Sequence, residues 1–167
     1  MIIKSVNFLL LVSVLLFLSP CLVFSANKAD AVLVDKSDAK LYLMKQDSKY
    51  ASFQVTFGGE SKGHKQQQGD ERTPEGHYTL DYKNPNSSFY RSIHISYPNA
   101  QDRENARKLG VDPGGDIMIH GQANGWEWAS IIAQLFNWTN GCIALKNLDM
   151  DRVWEAVDPG TPIEIRP

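Results

Sequence analysis

The chain has 167 residues, a formal net charge of −2 at pH 7 and only two cysteines. Nothing in this balance suggests the excess of Lys and Arg on which nucleic-acid-binding proteins depend, so no nucleic-acid partner is expected. Neither a Pro- or Ser-rich linker nor an internal repeat divides the sequence. Beyond its N-terminal segment, the length suits one domain with its own hydrophobic core.

Residues 1–25 have the layout of a secretory signal peptide. A lysine precedes a long apolar run, and small residues follow that run. We predict cleavage after Ser25, which leaves 26–167 as an exported domain. Two alternatives stay open, because about 20 apolar residues could also serve as an uncleaved membrane anchor, and Cys21 could carry a lipid. Pro20 argues against the lipid, since lipobox-type sites carry glycine or alanine before the cysteine.

Strand-forming sequence dominates the first half of the domain. Three segments between residues 31 and 58 are rich in β-branched and aromatic residues, and turn residues at 35–38 and 47–48 separate them. This pattern predicts antiparallel hairpins. The stretch 58–76 contains five glycines and almost no apolar side chain, which predicts a long exposed loop. Long loops on compact domains often carry function.

The second half is predicted to mix strands with short helices. Alternation predicts strands over 77–82 and 89–97, an apolar run predicts a buried strand that ends at His120, and 161–165 reads as a last strand. Capping residues and apolar spacing predict three helices: one from Asn99 to Gly110, one between Gly125 and Asn137, and one that Asn147 caps. The whole pattern predicts a mostly β domain, a sandwich or barrel with helical insertions.

Cys142 is the only cysteine of the predicted exported domain, so it has no partner for an internal disulfide. Exported proteins rarely keep a free thiol without a use for it. Gly141 lets the backbone bend so that successive amides can point at a developing oxyanion. His120 is the candidate base, and Gly121 beside it leaves space for substrate. We therefore expect a thiolate nucleophile that an imidazole activates.

Other interpretations of these residues stay open. A lone cysteine is most often a small buried apolar residue, and a lone histidine is usually a satisfied core or surface residue. His64, His77 and His94 fit loop, strand-edge and polar-face positions. A zinc site would need CxxC or HxxxH spacing and a third ligand, and the sequence offers neither. No metal or other cofactor is expected.

Aromatic and basic residues flank the predicted site. Three tryptophans lie near it in the sequence: Trp126, Trp128 and Trp138. They pack in the core or form a wall of the cleft, and core packing is the simpler interpretation. Three cations lie in the long loop: Lys62, Lys65 and Arg72. They could bind substrate carboxylates, although a solvated loop of mixed charge is the safer expectation.

Three segments, GDERTPEGHY, DIMIHG and WTNGCIAL, in this order resemble the L,D-transpeptidase catalytic domain, also called the YkuD domain. The resemblance covers about residues 31–167. Family members carry a TPxGxY-like segment, a His-Gly pair at a strand end and a Ser/Thr-x-Gly-Cys motif. The matching residues here are Thr73–Tyr78, His120 with Gly121, and Thr139–Cys142.

The chain departs from the commonest family pattern at two positions. Asn140 stands where most members have histidine, and Ala144 stands where they have arginine. The segments GHKQQQGDERTPEG and ISYPNAQDRENARKLG resemble the YafK-like subgroup of murein transpeptidases. Some members of that subgroup hydrolyse the link between peptidoglycan and an outer-membrane lipoprotein, so the resemblance implies the shared chemistry more firmly than the outcome of the reaction.

The resemblance implies a thiol acyl-transfer cycle that needs no cofactor. Cys142, activated by His120, would attack the carbonyl at the L-centre of the diamino acid in a peptidoglycan stem peptide and expel the amine beyond it. The backbone carbonyl of Gly121 would orient His120. The amides of Gly141 and Cys142 would hold the oxyanion, with Asn140 as a third contributor. An amine or water would then resolve the acyl-enzyme.

The remaining expectations concern substrate, partners and location. Four residues are expected to contact substrate: Arg72, Trp138, Thr139 and Asn140. The partners implied are peptidoglycan stem peptides and an outer-membrane lipoprotein linked to them, in the periplasm or cell envelope. A non-catalytic wall-binding protein and a cysteine peptidase acting on ordinary protein are the competing functions. The sequence leaves the oligomeric state open.

Overall fold

The computed structural model describes residues 27–125 and 136–167. Within these residues the strands are β1 (Ala31–Asp35), β2 (Lys40–Lys45), β3 (Ser48–Gln54), β4 (Gly76–Asn84), β5 (Ser92–Ile95), β6 (Met118–His120), β7 (Ile143–Ala144) and β8 (Thr161–Arg166). The two helices of the described residues are α1 (Ala100–Leu109) and α2 (Asn147–Ala156). Neither has the length and apolar character that crossing a membrane requires.

The predicted N-terminal hairpins are confirmed. β1 pairs with β2 and β2 pairs with β3, both antiparallel. The C-terminal strand β8 is inserted between β1, to which it is parallel, and β4, to which it is antiparallel. β8 therefore lies in the centre of the sheet and joins the two halves of the domain.

One sheet of eight strands, in the order β3-β2-β1-β8-β4-β5-β6-β7, forms the body of the described residues. The segment after β3 returns to the opposite edge, where Thr56 N–H donates to the Ala144 carbonyl at 3.0 Å and Ala144 N–H donates to the Thr56 carbonyl at 2.9 Å. The sheet is therefore curled until its two edges meet. This confirms the predicted mostly β, barrel-like class, and it places β7 at the closing seam.

Apolar residues from both halves fill the inside of the curled sheet. Several are completely buried, among them Leu41, Leu80, Ile93, Ile119 and Ile143. α2 adds its apolar face to the same core, and its buried residues are Met150, Val153 and Ala156. Burial of each large aliphatic side chain contributes about 1.5 to 3 kcal/mol. The core thus gives β6 and β7 a rigid backing.

The two helix starts differ from one another in how their caps form. Asn99 caps α1 through its side chain, and Gly110, with φ 69°, ends it, as predicted. The predicted Asn147 cap of α2 is wrong by one residue. Lys146 occupies the cap position without a side-chain bond, because Asn147 Oδ1 instead accepts from the Gln122 amide at 2.8 Å. The Asn147 side chain thus makes a tertiary hydrogen bond instead of the helix cap that the local pattern predicts.

The long loop 58–76 is less exposed than predicted. Lys65 is only 3% exposed and Thr73 is fully buried. Lys65 Nζ lies 2.8 Å from Asp70 Oδ1, and His64 Nε2 lies 3.1 Å from the buried Asp102 carboxylate of α1. The polar side chains of the loop bind one another and α1 instead of solvent. For this reason the polar sequence did not produce a fully exposed loop.

Two predictions lie outside the described residues. The helix predicted between Gly125 and Asn137, with Trp126 and Trp128, falls on residues 126–135 for the most part. The signal peptide and its cleavage site fall within residues 1–26. Both stay predictions.

Candidate active site

Strands β6 and β7 bring the candidate nucleophile and base to one face of the sheet. The strands are parallel, and Ile119 pairs with Ile143. Both isoleucines are fully buried in the core. Because side chains alternate along a strand, His120 and Cys142 point to the other face. They line one open cleft there, with a volume of about 510 Å³.

His120 is held in one tautomer by the chain itself. Its Nδ1 lies 2.6 Å from the Gly121 carbonyl oxygen. A carbonyl only accepts, so Nδ1 carries the hydrogen and Nε2 is left as the basic nitrogen. The ring is only 4% exposed, and burial lowers the pKa of His120 below its ordinary value. The imidazole is therefore neutral near pH 7 and able to accept a proton.

Aromatic rings enclose the imidazole. The Phe89 ring centroid lies 4.8 Å from that of His120, and the Trp138 ring meets it edge-on at 5.8 Å. Both aromatic residues line the cleft, so the cleft-wall alternative is correct for Trp138. Phe89 was assigned to a predicted strand over 89–97, but β5 begins only at Ser92. No local sequence pattern indicates that this loop folds over the base.

The Cys142 thiol is partly buried beside backbone groups of β6. Met118 N–H donates to Cys142 Sγ at 3.4 Å, and the thiol faces the Asp116 carbonyl oxygen at 3.7 Å. Burial is the largest influence and raises the pKa of Cys142; the Met118 amide and Lys65 lower it, and the Asp116 charge raises it further. The expected thiolate nucleophile stays a prediction, and it would have to form during attack. The favoured resting pair is a neutral thiol and a neutral imidazole.

We expect this neutral pair to control alkylation of Cys142. Since its pKa is raised, the rate of reaction with iodoacetamide should stay low at neutral pH and climb with pH across the alkaline range. Rates measured by intact-mass spectrometry between pH 5 and 10 test this. A rate that is already high and flat from pH 6 upward would indicate a preformed thiolate and contradict the prediction.

The turn before Cys142 is closed by Thr139. Its Oγ1 donates to the Cys142 carbonyl at 2.7 Å and accepts from the Gly141 amide at 3.2 Å. Thr139 lines the cleft, but its hydroxyl is used inside the turn. The Gly141 amide, the predicted oxyanion donor, is likewise directed at this hydroxyl in the resting structure. That bond is long, so its exchange for a charged acceptor would be favourable.

Gly141 adopts a conformation that other residues avoid. Its φ is 114°, and a Cβ placed there would lie 2.5 Å from the Arg72 carbonyl oxygen. The loop backbone at Arg72 thus packs directly under the nucleophile turn. Arg72 does not line the cleft, so its predicted contact with substrate carboxylates stays a prediction.

Gly121 has a different use from the one predicted. A Cβ there would lie 2.6 Å from Asn147 Oδ1 and 2.9 Å from Tyr90 Cβ. The missing side chain therefore makes room for the protein's own packing and not for substrate. Because Asn147 also accepts from the Gln122 amide, the start of α2 fixes the backbone just after His120.

Several cleft residues were not assigned to the site from the sequence: Asn84, Phe89, Ser92, Asp116 and Met118. Ser92 lies opposite His120 in the pairing of β5 with β6. No local sequence pattern predicts this strand register. Asn140, which was assigned to the site, is exposed and lines the cleft.

Within residues 27–125 and 136–167, no three His, Cys, Asp or Glu side chains are grouped so that they could hold a metal ion.

Comparisons with known proteins identify the family of this chain. The family model of the L,D-transpeptidase catalytic domain, YkuD, matches residues 29–165. YafK of Escherichia coli K12, a candidate L,D-transpeptidase, is 34% identical over 97 residues, which are 57% of this chain and 32% of YafK. The chain is thus similar to a part of that protein.

Solved structures share the fold. The helical cell shape determining protein Pgp2 from Campylobacter jejuni has a TM-score of 0.60 and 26% identity, over 81% of this chain and 46% of Pgp2. An L,D-transpeptidase from Xylanimonas cellulosilytica has a TM-score of 0.55 and 15% identity, over 83% of this chain and 61% of that chain; this likeness concerns the fold alone. The chain spans about half the length of Pgp2.

Proposed function

The chain belongs to the L,D-transpeptidase catalytic domain family, and from this premise we propose that it is a cysteine acyltransferase that acts on peptidoglycan stem peptides. The observation that carries the proposal is that Cys142 and His120 line the same open cleft, with Nδ1 of the base bound to the Gly121 carbonyl. Family membership supplies the substrate class, and the cleft supplies the chemistry.

The first half-reaction forms the acyl-enzyme. His120 Nε2 takes the thiol proton as Cys142 Sγ attacks the carbonyl carbon at the L-centre of the diamino acid. The resulting imidazolium then gives this proton to the departing amine, so the C–N bond breaks and a thioester remains. Phe89 and Trp138 cover the imidazole and keep water from it, which supports the transfer of one proton between sulfur and nitrogen.

Backbone amides are proposed to receive the negative charge of the carbonyl oxygen. The Cys142 amide and the Gly141 amide are the donors that the family pattern implies, with the exposed Asn140 side chain beside them. The Gly141 amide would exchange its 3.2 Å bond to Thr139 Oγ1 for the stronger bond to an oxyanion. Loss of one such donor typically costs about 3 to 4 kcal/mol of barrier height.

The second half-reaction has two outcomes. An amine that attacks the thioester completes transpeptidation, whereas water gives hydrolysis. The hydrolytic outcome is the second candidate function, and the resemblance to the YafK-like subgroup, some of whose members hydrolyse the link to a lipoprotein, favours it. In that case the bond broken would be the link to an outer-membrane lipoprotein or the last bond of a stem peptide. Either activity requires the exported location that we propose, in the periplasm or cell envelope.

The test is to incubate the purified protein with a carbapenem and, separately, with sacculi that do or do not carry bound lipoprotein. We expect a covalent adduct that peptide mapping assigns to Cys142. New 3-3 cross-links would indicate transpeptidation, and released lipoprotein or trimmed stems would indicate hydrolysis. A protein that binds sacculi but gives neither adduct nor changed muropeptides would be the non-catalytic wall-binding alternative and would contradict the proposal.

A further inference from the structure

Ser92 places a hydroxyl beside the candidate base. On β5 it lies opposite His120 of β6, and directly opposed residues on neighbouring antiparallel strands have their Cβ atoms about 5 Å apart. Since side chains alternate along a strand, Ile93 enters the core and Ser92 shares the face of His120. Ser92 lines the cleft on that face. Its hydroxyl is therefore a neighbour of the imidazole inside the cleft.

The Ser92 hydroxyl has no hydrogen-bond partner within residues 27–125 and 136–167, although the residue is only 3% exposed. Buried hydroxyls are normally paired, because burial of an unpaired hydroxyl costs free energy. Thr56 offers a comparison, since it is 4% exposed and its Oγ1 also has no partner. Thr56 does not line the cleft. The Ser92 hydroxyl, unlike that of Thr56, adjoins space that a substrate can enter.

Asn84 adds a second donor next to Ser92. It lies opposite Ser92 on β4 and lines the same cleft. Its Oδ1 accepts from the Asn86 amide at 3.0 Å, so the NH₂ group of the side chain is left to donate. No Lys or Arg side chain of the described residues lines the cleft. This end of the cleft thus offers neutral donors, which can bind a carbonyl or a carboxylate oxygen.

The proposed proton transfer places the reacting amine against His120. Nε2 takes the proton from Cys142 Sγ and gives it to the departing nitrogen, so this nitrogen must come within hydrogen-bond reach of Nε2. The residue that carries the nitrogen then extends away from the sulfur. In the sheet, β6 lies between β5 and β7, and Cys142 directly precedes β7. The side of His120 away from the sulfur is therefore the side of Ser92.

We propose that Ser92 is a specificity-determining residue, whose hydroxyl donates a hydrogen bond to the carbonyl or carboxylate oxygen next to the amine that leaves or enters the acyl-enzyme. The inference rests on the proposed acyl transfer and deepens it. The favoured amines carry a carboxyl or carboxamide group on the carbon that bears the nitrogen, as an amino acid does. A plain alkylamine, or an amine at the end of a long side chain, lacks this oxygen and is disfavoured.

The transfer step keeps its balance with this contact in place. The neutral amine attacks the thioester carbon, the C–N bond forms and the C–S bond breaks, and one proton of the amine passes through His120 Nε2 to the sulfur. Ser92 forms no covalent bond. It holds the oxygen next to the amine, so that the nitrogen is placed between the thioester and the imidazole.

The test compares the wild type with Ser92→Ala. With a tetrapeptide stem as donor, D-alaninamide and isopropylamine compete as acceptors. The two differ only in that a methyl group of isopropylamine replaces the carboxamide, and mass spectrometry gives the ratio of their products. We expect Ser92→Ala to lower the preference for D-alaninamide by about fivefold, the effect of one hydrogen bond. The intrinsic reactivity of each amine is the same with both proteins, so it cancels in this comparison.

A second competition, with D-alanine in place of D-alaninamide, identifies the group that is bound. A loss of preference in Ser92→Ala with the carboxamide, with the carboxylate or with both supports the contact and shows which oxygen Ser92 holds. Thr56→Val is the matched control, because it removes an unpartnered buried hydroxyl outside the cleft. It should leave both preferences as they are in the wild type.

Thermal unfolding separates this role from a structural one. Ser92→Ala and Thr56→Val each remove a hydroxyl without a partner, so each should keep or raise the midpoint of unfolding. A marked fall of the midpoint in Ser92→Ala would assign the hydroxyl to the folded structure and overturn the inference.

The remaining outcomes separate the inference from the proposed function. Turnover in which Ser92→Ala changes neither preference, or in which Thr56→Val lowers them equally, would overturn the role of Ser92 and leave the acyltransferase intact. A wild-type protein that forms no acyl-enzyme with the stem donor or with a carbapenem would overturn the proposed function itself, and the inference with it.

Discussion

Cys142→Ala is expected to abolish turnover of muropeptides and to prevent covalent trapping by a carbapenem, with a loss of at least about 10³-fold in rate. No other cysteine is present in the described residues, so no neighbouring thiol there can replace the sulfur. High-performance liquid chromatography of muropeptides measures the turnover, and intact-mass spectrometry measures the adduct.

The control is designed to separate chemistry from folding. Cys142 is only partly buried, and its sulfur accepts one long hydrogen bond from the Met118 amide. We therefore expect thermal unfolding of Cys142→Ala to stay close to that of the wild type. Cys142→Ser should fold equally well and still react poorly, because a serine hydroxyl is a weaker nucleophile than a thiol. Turnover that survives in Cys142→Ala would end the claim of thiol catalysis.

Local structure was predictable from the sequence wherever it depends only on residues that are neighbours along the chain. Alternating apolar residues and turn residues predicted the hairpins β1–β2 and β2–β3, and Asn99 with Gly110 predicted both ends of α1. These features are set within a few residues of the chain. The three short motifs around Thr73, His120 and Cys142 likewise identified the family, because their order and spacing are properties of the sequence.

Long-range pairing was not predictable in the same way. Insertion of β8 between β1 and β4 joins strands from opposite ends of the domain, and closure through Thr56 and Ala144 joins the two edges of the sheet. No local pattern specifies either contact. The same limit explains two residues that were assigned another use: the Asn147 side chain accepts from the distant Gln122 amide, and the missing side chain of Gly121 makes room for Asn147 and Tyr90.

The pKa of Cys142 illustrates why a motif underdetermines a site. A glycine and an imidazole near a thiol predict a lowered pKa, and a backbone amide does act in that direction. Burial has the larger effect, however, and burial follows from the curled sheet. The base must therefore remove the thiol proton during attack. For that step Nε2 of His120 must face the sulfur, so the hydrogen bond from Nδ1 to the Gly121 carbonyl, which orients the ring, matters more than it would for a preformed ion pair.

Gly141→Ala is expected to damage both stability and catalysis. A residue with a side chain at φ 114° is strained, and the added Cβ would lie 2.5 Å from the Arg72 carbonyl oxygen, so the loop or the turn must move. We expect a loss of about 3 kcal/mol in the free energy of unfolding, from strain and overpacking together. Urea denaturation measures it.

Gly160→Ala is the matched control, since Gly160 also has a positive φ, 96°, but no atom within 4 Å of the Cβ position. It should show the strain alone, about 1 kcal/mol, with carbapenem acylation at the wild-type rate. At a temperature where Gly141→Ala is still folded, acylation of Cys142 should fall with it, because the same backbone shift displaces the Gly141 amide and the sulfur. Equal stabilities for the two variants would mean that the Arg72 backbone does not support the nucleophile turn.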